Sequence, residues 1–189
     1  MIRPDTTREF PDTGLRLEDF VADAPKRPPT VTAAGTTADL DLIDGLSVTP
    51  LVSSDDDRGS LVELLTTRDA AIEPIVHVYQ VLSEPGSVRA WVYHRHQFDR
   101  LAFTMGSFEV ALYDVRPGSP TARRLNVFAL GAARPALMRI PPYVVHGVRN
   151  TSSEMSSFVN LPTRAYRHDT PDKVRLPYGD PRVPHRFGD

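Results

Sequence analysis

The chain of 189 residues contains no cysteine, which excludes disulfide bonds and thiolate chemistry. It has no apolar run near the roughly 20 residues that a membrane-spanning helix needs, and its first residues lack the apolar core of a signal peptide. Blocks of basic residues are also missing, because 22 Lys and Arg are scattered among 24 Asp and Glu, with a net charge of −2. These absences predict a cytoplasmic protein with neither a nucleic-acid nor a membrane partner.

Proline is abundant, at 18 residues, and helical periodicity is nearly absent. From Leu46 onward, short apolar segments alternate with turn sequences such as Glu84-Pro85-Gly86. Many short strands without intervening helices are typical of a barrel or jelly roll. We therefore predict an all-β protein in three parts: an irregular N-terminal arm (1–45), a jelly-roll barrel (46–166) and a tail packed on the barrel (167–189).

Three histidines stand out on two of the predicted strands. Side chains alternate along a strand, so His94 and His96 are expected to project from one face. His146 follows a turn at Pro141-Pro142, inside another apolar run. Imidazoles that converge in a barrel can bind a metal, transfer protons or hold a polar ligand. The residues by themselves leave these three functions open.

The histidine segments resemble the two short motifs of the cupin superfamily. The first is His94-Arg95-His96, and the second runs from Pro141 to Asn150 with Tyr143 in place of a glycine. The resemblance implies a cupin-type double-stranded β-helix. Arg100 stands where the metal-binding glutamate of cupins would lie, and a fixed cation opposes a divalent ion. We therefore predict no metal and no cofactor, with His94, His96 and His146 as the alternative metal ligands.

A second resemblance covers most of the body of the chain. Several short motifs recur in the order found in dTDP-4-dehydrorhamnose 3,5-epimerases: Asp57-Arg58-Gly59 with Glu63, Gln80, Gly86-Ser87-Val88-Arg89-Ala90, Asp114-Val115-Arg116 with Ser119-Pro120-Thr121, Ile140-Pro141-Pro142 with His146-Gly147, and Asp180-Pro181. The resemblance implies a homodimeric isomerase that binds a deoxynucleoside-diphosphate keto-sugar, or a similar polar carbonyl metabolite, without a metal.

The chain departs from this family at the positions of the acid and the base. Val92 stands where the family has its histidine base, and Asn160 stands at or next to the tyrosine acid. Neither side chain transfers protons near neutral pH, so slow turnover is expected unless other groups take over. We predict His94 or His146 as the base, with Arg100 and Asn160 stabilising the enolate oxygen. The resemblance also implies Asp180 as the family's histidine-orienting aspartate.

The predicted substrate contacts come partly from the family motifs. Arg58 and Arg89 match positions that hold the phosphates and sugar, and guanidinium groups suit a diphosphate. The alternative for Arg58 is a surface ion pair with Asp55, Asp56 or Asp57. The complete predicted binding set is Arg58, Glu63, Gln80, Arg89, His96, Tyr143 and Tyr166. Two rival functions stay open, a metal-dependent cupin enzyme (dioxygenase or isomerase) and a catalytically inactive ligand-binding cupin.

Overall fold

A computed structural model describes residues 41–66, 68 and 73–188, so most of the predicted N-terminal arm lies outside the described residues. The described part contains strands and turns and no helix, and hence no helix that could cross a membrane. The strands are β1 (Ser47–Pro50), β2 (Ser53–Asp56), β3 (Gly59–Val62), β4 (Tyr79–Ser83), β5 (Val88–His94), β6 (Asp99–Met105), β7 (Ser107–Asp114), β8 (Leu125–Gly131), β9 (Ala136–Ile140), β10 (Val144–Asn150), β11 (Ser156–Asn160) and β12 (Lys173–Arg175).

The strands form two five-stranded sheets and one separate hairpin. The first sheet has the order β1-β9-β6-β11-β4 and the second has the order β12-β5-β10-β7-β8, while β2 pairs with β3. All pairings between these strands are antiparallel. The prediction of an all-β jelly roll is therefore confirmed.

The core lies between the two sheets and is built from alternating residues of both. Its largest members include Phe103 and Phe158 of the first sheet and Phe108, Leu112 and Val144 of the second. Ile43 also belongs to this core and is almost fully buried, so core residues begin slightly before the predicted boundary at 46. Because side chains alternate on every strand, the same inner face also carries the polar side chains of the site.

A second apolar cluster lies on the outer face of β5 and β10. Trp91 and Val145 pack there against Val183 and Phe187 of the C-terminal tail, and the Trp91 indole donates a hydrogen bond to the Tyr178 carbonyl at 3.2 Å. The tail thus covers the side of β5 opposite to His94, as the strand alternation predicts. β12 extends the same sheet, because Lys173 and Arg175 pair with His94 and Val92.

The Asp114 motif that resembles the family has a structural explanation. The Asp114 side chain is fully buried and accepts hydrogen bonds from Arg116 (2.8 Å), Ser119 (2.7 Å) and Thr121 (2.7 Å). Burial raises the pKa of Asp114, but these bonds outweigh burial and hold the pKa well below its usual range. The motif therefore closes the connection between β7 and β8 and takes no part in the cleft described below.

Candidate active site

Two histidines and an aspartate meet between the sheets. His94 on β5 and His146 on β10 come from the second sheet, and Asp99 on β6 comes from the first. The Nε2 atoms of both histidines lie 3.3 Å from the same carboxylate oxygen, Oδ2 of Asp99. All three side chains are buried. His146 also pairs in register with Val92, so the two imidazoles flank the position where the family has its base.

Contacts at both ring nitrogens fix the orientation of His146. Its Nδ1 lies 3.0 Å from the Val144 carbonyl, which can only accept, so Nδ1 carries a proton. Its Nε2 faces Oδ2 of Asp99 on the opposite sheet. Burial raises the pKa of Asp99, but hydrogen bonds and charge from His146 and His94 outweigh it and lower the pKa well below its usual range. The two imidazoles therefore hold Asp99 between the sheets as a carboxylate.

His94 lies between two carboxylates. Its Nε2 faces Asp99, and its Nδ1 lies 3.6 Å from Oδ2 of Asp172, too far for a hydrogen bond. Within the part of the chain that the structure describes, this Nδ1 is buried and has no hydrogen-bond partner. His94 is therefore held between two carboxylates with one ring nitrogen unpaired.

Asp172 also fixes the backbone next to His94. Its carboxylate accepts hydrogen bonds from the successive backbone N–H groups of Arg95, His96 and Gln97, at 3.1–3.3 Å. These bonds hold the bend that ends β5 directly after His94. Asp172 thus sets both the position of His94 and the charge beside it.

A network of amide hydrogen bonds surrounds the other oxygen of Asp99. Oδ1 accepts from Gln97 Nε2 at 2.8 Å and from Asn160 Nδ2 at 3.0 Å. The same Asn160 nitrogen donates to the Tyr79 hydroxyl at 2.8 Å. Both hydrogens of the Asn160 amide are thus engaged, which leaves no N–H for an enolate oxygen. The predicted enolate-stabilising role of Asn160 is not supported, and its contacts instead orient Asp99 and Tyr79.

His94 opens onto a cleft that has two adjoining parts of about 490 Å³ and 330 Å³. Four cations, Arg95, Arg164, Arg167 and Lys173, line the larger part. The smaller part is bounded by Tyr79 on β4 and by His94 and Lys173 on the facing sheet. Burial lowers the pKa of Lys173, and the neighbouring Arg175 acts in the same direction, against the charge of Asp99. The cleft therefore combines a buried histidine with a positively charged wall.

Arg100 is directed away from the cleft. Its guanidinium donates to the carbonyls of Leu161 (2.6 Å), Glu73 (2.9 Å) and Pro74 (3.2 Å). Neighbouring residues on a strand project to opposite faces, so the side chain that meets the histidines is Asp99. The structure thus places the Arg100 guanidinium on backbone carbonyls, and a carboxylate rather than a cation stands beside the imidazoles.

His96 does not join His94 and His146. β5 ends at His94, and Arg95 and His96 form an exposed bend, so strand alternation no longer applies beyond His94. His96 lines the outer, larger part of the cleft. The predicted three-histidine set is therefore not formed. Among the described residues, the buried donors that lie close enough to share an ion are His94, Asp99 and His146.

Most of the other predicted binding residues lie outside the cleft walls. Arg58 is 84% exposed and pairs with Asp56, which was the alternative for this residue. Glu63 pairs with Arg68, Gln80 donates to Ser157, and Arg89 donates to the Leu82 carbonyl.

The two predicted tyrosines differ in position. Tyr143 packs against Tyr93 with ring centroids 5.7 Å apart, and its φ of 61° explains why the cupin motif has glycine there. Tyr166 does line both parts of the cleft.

Eight residues that the site uses were not predicted from the sequence: Tyr79, Arg95, Gln97, Asp99, Arg164, Arg167, Asp172 and Lys173. Asp180, the implied orienting aspartate, forms an ion pair with Arg182 and does not line the cleft. A signal for Asp99 existed, since it directly precedes Arg100, which was predicted to reach the site, and neighbours on a strand project to opposite faces. Asp172 and Lys173 lie more than 70 residues after His94 in a charged, Pro-rich segment, where no local pattern singles them out.

Comparison with known proteins agrees with this architecture. Residues 40–184 match the family described as dTDP-4-dehydrorhamnose 3,5-epimerase. The spore coat polysaccharide biosynthesis protein SpsL of Bacillus subtilis is 33% identical over 142 residues, which cover 75% of this chain and 94% of SpsL. The probable low-salt glycan biosynthesis epimerase Agl13 of Haloferax volcanii is 36% identical over 141 residues, which cover 72% of this chain and 88% of Agl13.

Solved structures give the same result. A dTDP sugar isomerase from Desulfovibrio desulfuricans superposes with a TM-score of 0.71 at 26% identity, over 76% of this chain and 90% of the isomerase. ChmJ, a 3′-monoepimerase from Streptomyces bikiniensis, shares the fold with a TM-score of 0.69 at 20% identity, over 78% and 77% of the two chains. As its own motifs predicted, the chain therefore belongs to the dTDP-4-dehydrorhamnose 3,5-epimerase family of cupin-fold sugar-nucleotide epimerases.

Proposed function

We propose that this protein epimerises a nucleoside-diphosphate keto-sugar at a carbon next to the ketone, with His94 as the base. The observation that carries the proposal is the placement of His94 between Asp99 and Asp172, at the wall of a cationic cleft. A carbon acid beside a ketone loses its proton to a positioned base, and a proton returned on the other face gives the epimer. His94 takes over from the family position now occupied by Val92.

Lys173 is the group proposed to stabilise the enolate. It pairs in register with His94, lines both parts of the cleft and is half-buried. A fixed positive charge in such surroundings stabilises a developing oxyanion far more than it would in bulk solvent. This assignment replaces Arg100, whose guanidinium is held by backbone carbonyls.

The diphosphate is assigned to the larger part of the cleft. Arg95, Arg164 and Arg167 line that part, and guanidinium groups bind phosphate oxygens in pairs. Tyr166 lies there with its ring edge-on to His168, at a centroid distance of 4.9 Å, and can contact a base or sugar. The relative ChmJ was solved with dTDP-quinovose, which supports a deoxythymidine diphosphate sugar as the substrate class.

The test is solvent exchange on dTDP-4-keto-6-deoxyglucose in deuterated water, followed by proton NMR. We expect deuterium to enter at C3 or C5 and an epimer to accumulate at a catalytic rate. Binding of the nucleotide sugar without any exchange would contradict the proposal and favour a catalytically inactive ligand-binding cupin. Absence of binding, measured by calorimetry, would contradict the substrate class as well.

A metal-dependent cupin enzyme is the second candidate, now with a different set of ligands. His94, Asp99 and His146 are buried donors whose ligand atoms lie within 4.8 Å of one another, and such a set can hold a divalent ion. We favour proton transfer over metal binding at this cluster, because Lys173, the strand partner of His94, places a positive charge beside it. We expect plasma mass spectrometry of the purified protein to find well below one zinc, iron or nickel per chain. One equivalent per chain would establish the metal-dependent alternative.

A homodimer in the cytoplasm is part of the proposal. Two outer-face side chains, Leu82 on β4 and Met105 at the end of β6, are more than half exposed and both lie opposite Ser157 of β11. β4 is the edge strand of its sheet, and exposed apolar edges usually associate. Leu61, on the separate β2–β3 hairpin, is also 67% exposed. Light scattering is expected to give twice the chain mass, and a monomer mass would contradict this part.

A further inference from the structure

Tyr79 lies beside the residue that replaces the family's acid. It is the register partner of Asn160 in the pairing of β4 with β11, and Asn160 Nδ2 lies 2.8 Å from the Tyr79 hydroxyl. The family position of the tyrosine acid falls at or next to Asn160. A phenol is therefore present at this end of the sheet, one strand away from its usual place.

The direction of the hydrogen bond leaves the phenol free to donate. The Asn160 amide is oriented by Asp99, because a carboxylate oxygen can accept only from the NH₂ group. The same NH₂ group contacts Tyr79 and cannot accept, so the phenol oxygen accepts this bond. The hydroxyl hydrogen of Tyr79 is thus not used by Asn160 and is available to a bound molecule.

Tyr79 and His94 bound the same part of the cleft from opposite sheets. Tyr79 belongs to the sheet that contains β11, whereas His94 belongs to the facing sheet, and both line the 330 Å³ part. Tyr79 is 39% exposed, and it is one of the side chains that line this part of the cleft. Burial raises the pKa of Tyr79, and so does the charge of Asp99, against the Asn160 hydrogen bond. The phenol is therefore protonated at neutral pH, as an acid must be.

We propose that Tyr79 is the acid that protonates the enolate on the face opposite His94. This inference rests on the proposed function. His94 takes the proton from the carbon beside the ketone, and the electron pair moves onto the carbonyl oxygen. The same carbon then takes the hydroxyl proton of Tyr79 as the enolate collapses to the ketone. Exchange with water returns a proton to the phenolate and removes one from His94, so no other reactant is needed.

Replacement of Tyr79 by Phe tests this assignment, because it separates proton removal from inversion. In deuterated water with dTDP-4-keto-6-deoxyglucose, Tyr79→Phe is expected to form epimer about 10²–10⁴-fold more slowly than the wild type. Deuterium should still enter the substrate that is recovered without inversion, at a rate within several-fold of the wild-type exchange rate. The reason is that the enolate in this variant regains its proton only from the side of His94. A purely structural role would not separate these two rates.

Tyr113→Phe is the matched control, since Tyr113 packs with the outer cluster on β7. It is expected to exchange and invert at wild-type rates. Inversion by Tyr79→Phe at the wild-type rate would overturn the assignment of Tyr79. Equal loss of exchange and inversion would also overturn it, because Tyr79 would then serve binding or site geometry. A wild type without exchange or inversion would contradict the proposed function itself.

Discussion

His94→Gln is expected to lower solvent exchange and epimer formation together, by about 10²–10⁴-fold, the usual contribution of a positioned acid or base. Glutamine keeps a hydrogen-bonding group near Asp99 but cannot take a proton at neutral pH. Both rates fall because proton removal precedes either outcome, in contrast to Tyr79→Phe. Proton NMR in deuterated water measures the two rates in one experiment.

His185→Gln is the matched control for the same chemical change. His185 contacts Glu109 at 2.9 Å and packs against Trp91, on the outer side of the second sheet. The variant His185→Gln should exchange and invert the substrate at wild-type rates. If His94→Gln retains full exchange, the base is not His94, and His146→Gln becomes the next variant to measure. Binding of the nucleotide sugar should change little in His94→Gln, because the cations of the larger cleft are untouched.

Lys173→Met is expected to lower kcat by about 10²–10³-fold, the usual cost of removing one group that stabilises an oxyanion. Methionine preserves most of the length and the apolar stem, so the pairing of β12 with β5 should persist. KM should change much less than kcat, because the developing charge is strongest in the transition state. Steady-state kinetics of the variant separates the two constants.

The pH dependence gives a second test of Lys173. Burial lowers its pKa, so the cation and the activity it supports are lost as the pH rises through a value below the ordinary lysine value. Lys173→Arg keeps the charge to higher pH and should remove that alkaline decline while recovering part of kcat. Arg134→Met removes an exposed cation outside the cleft and is the control for net charge. An unchanged kcat in Lys173→Met would exclude this role.

The local pattern of the sequence determined the fold. Alternating apolar residues separated by Gly and Pro turns predicted an all-β jelly roll, since the two faces of each strand meet core or solvent in turn. The same alternation explains why Trp91 packs on the outer face of β5, opposite to His94. Ordered short motifs identified the family, and several of them, such as Asp114 with Ser119 and Thr121, are local hydrogen-bonded turns that depend on few distant contacts.

Only the tertiary structure decided which side chains form the site. A shift of one residue on a strand moves a side chain to the other face, so the choice between Asp99 and Arg100 depended on the register of β6 against β9 and β11. The prediction placed His96 on the same strand face as His94. However, β5 ends at His94, so strand alternation does not extend to His96. Asp172 and Lys173 reach His94 through the pairing of β12 with β5, across more than 70 residues of chain. Contacts made at such separations leave no local signal, because local periodicity predicts a strand but not the strands with which it pairs.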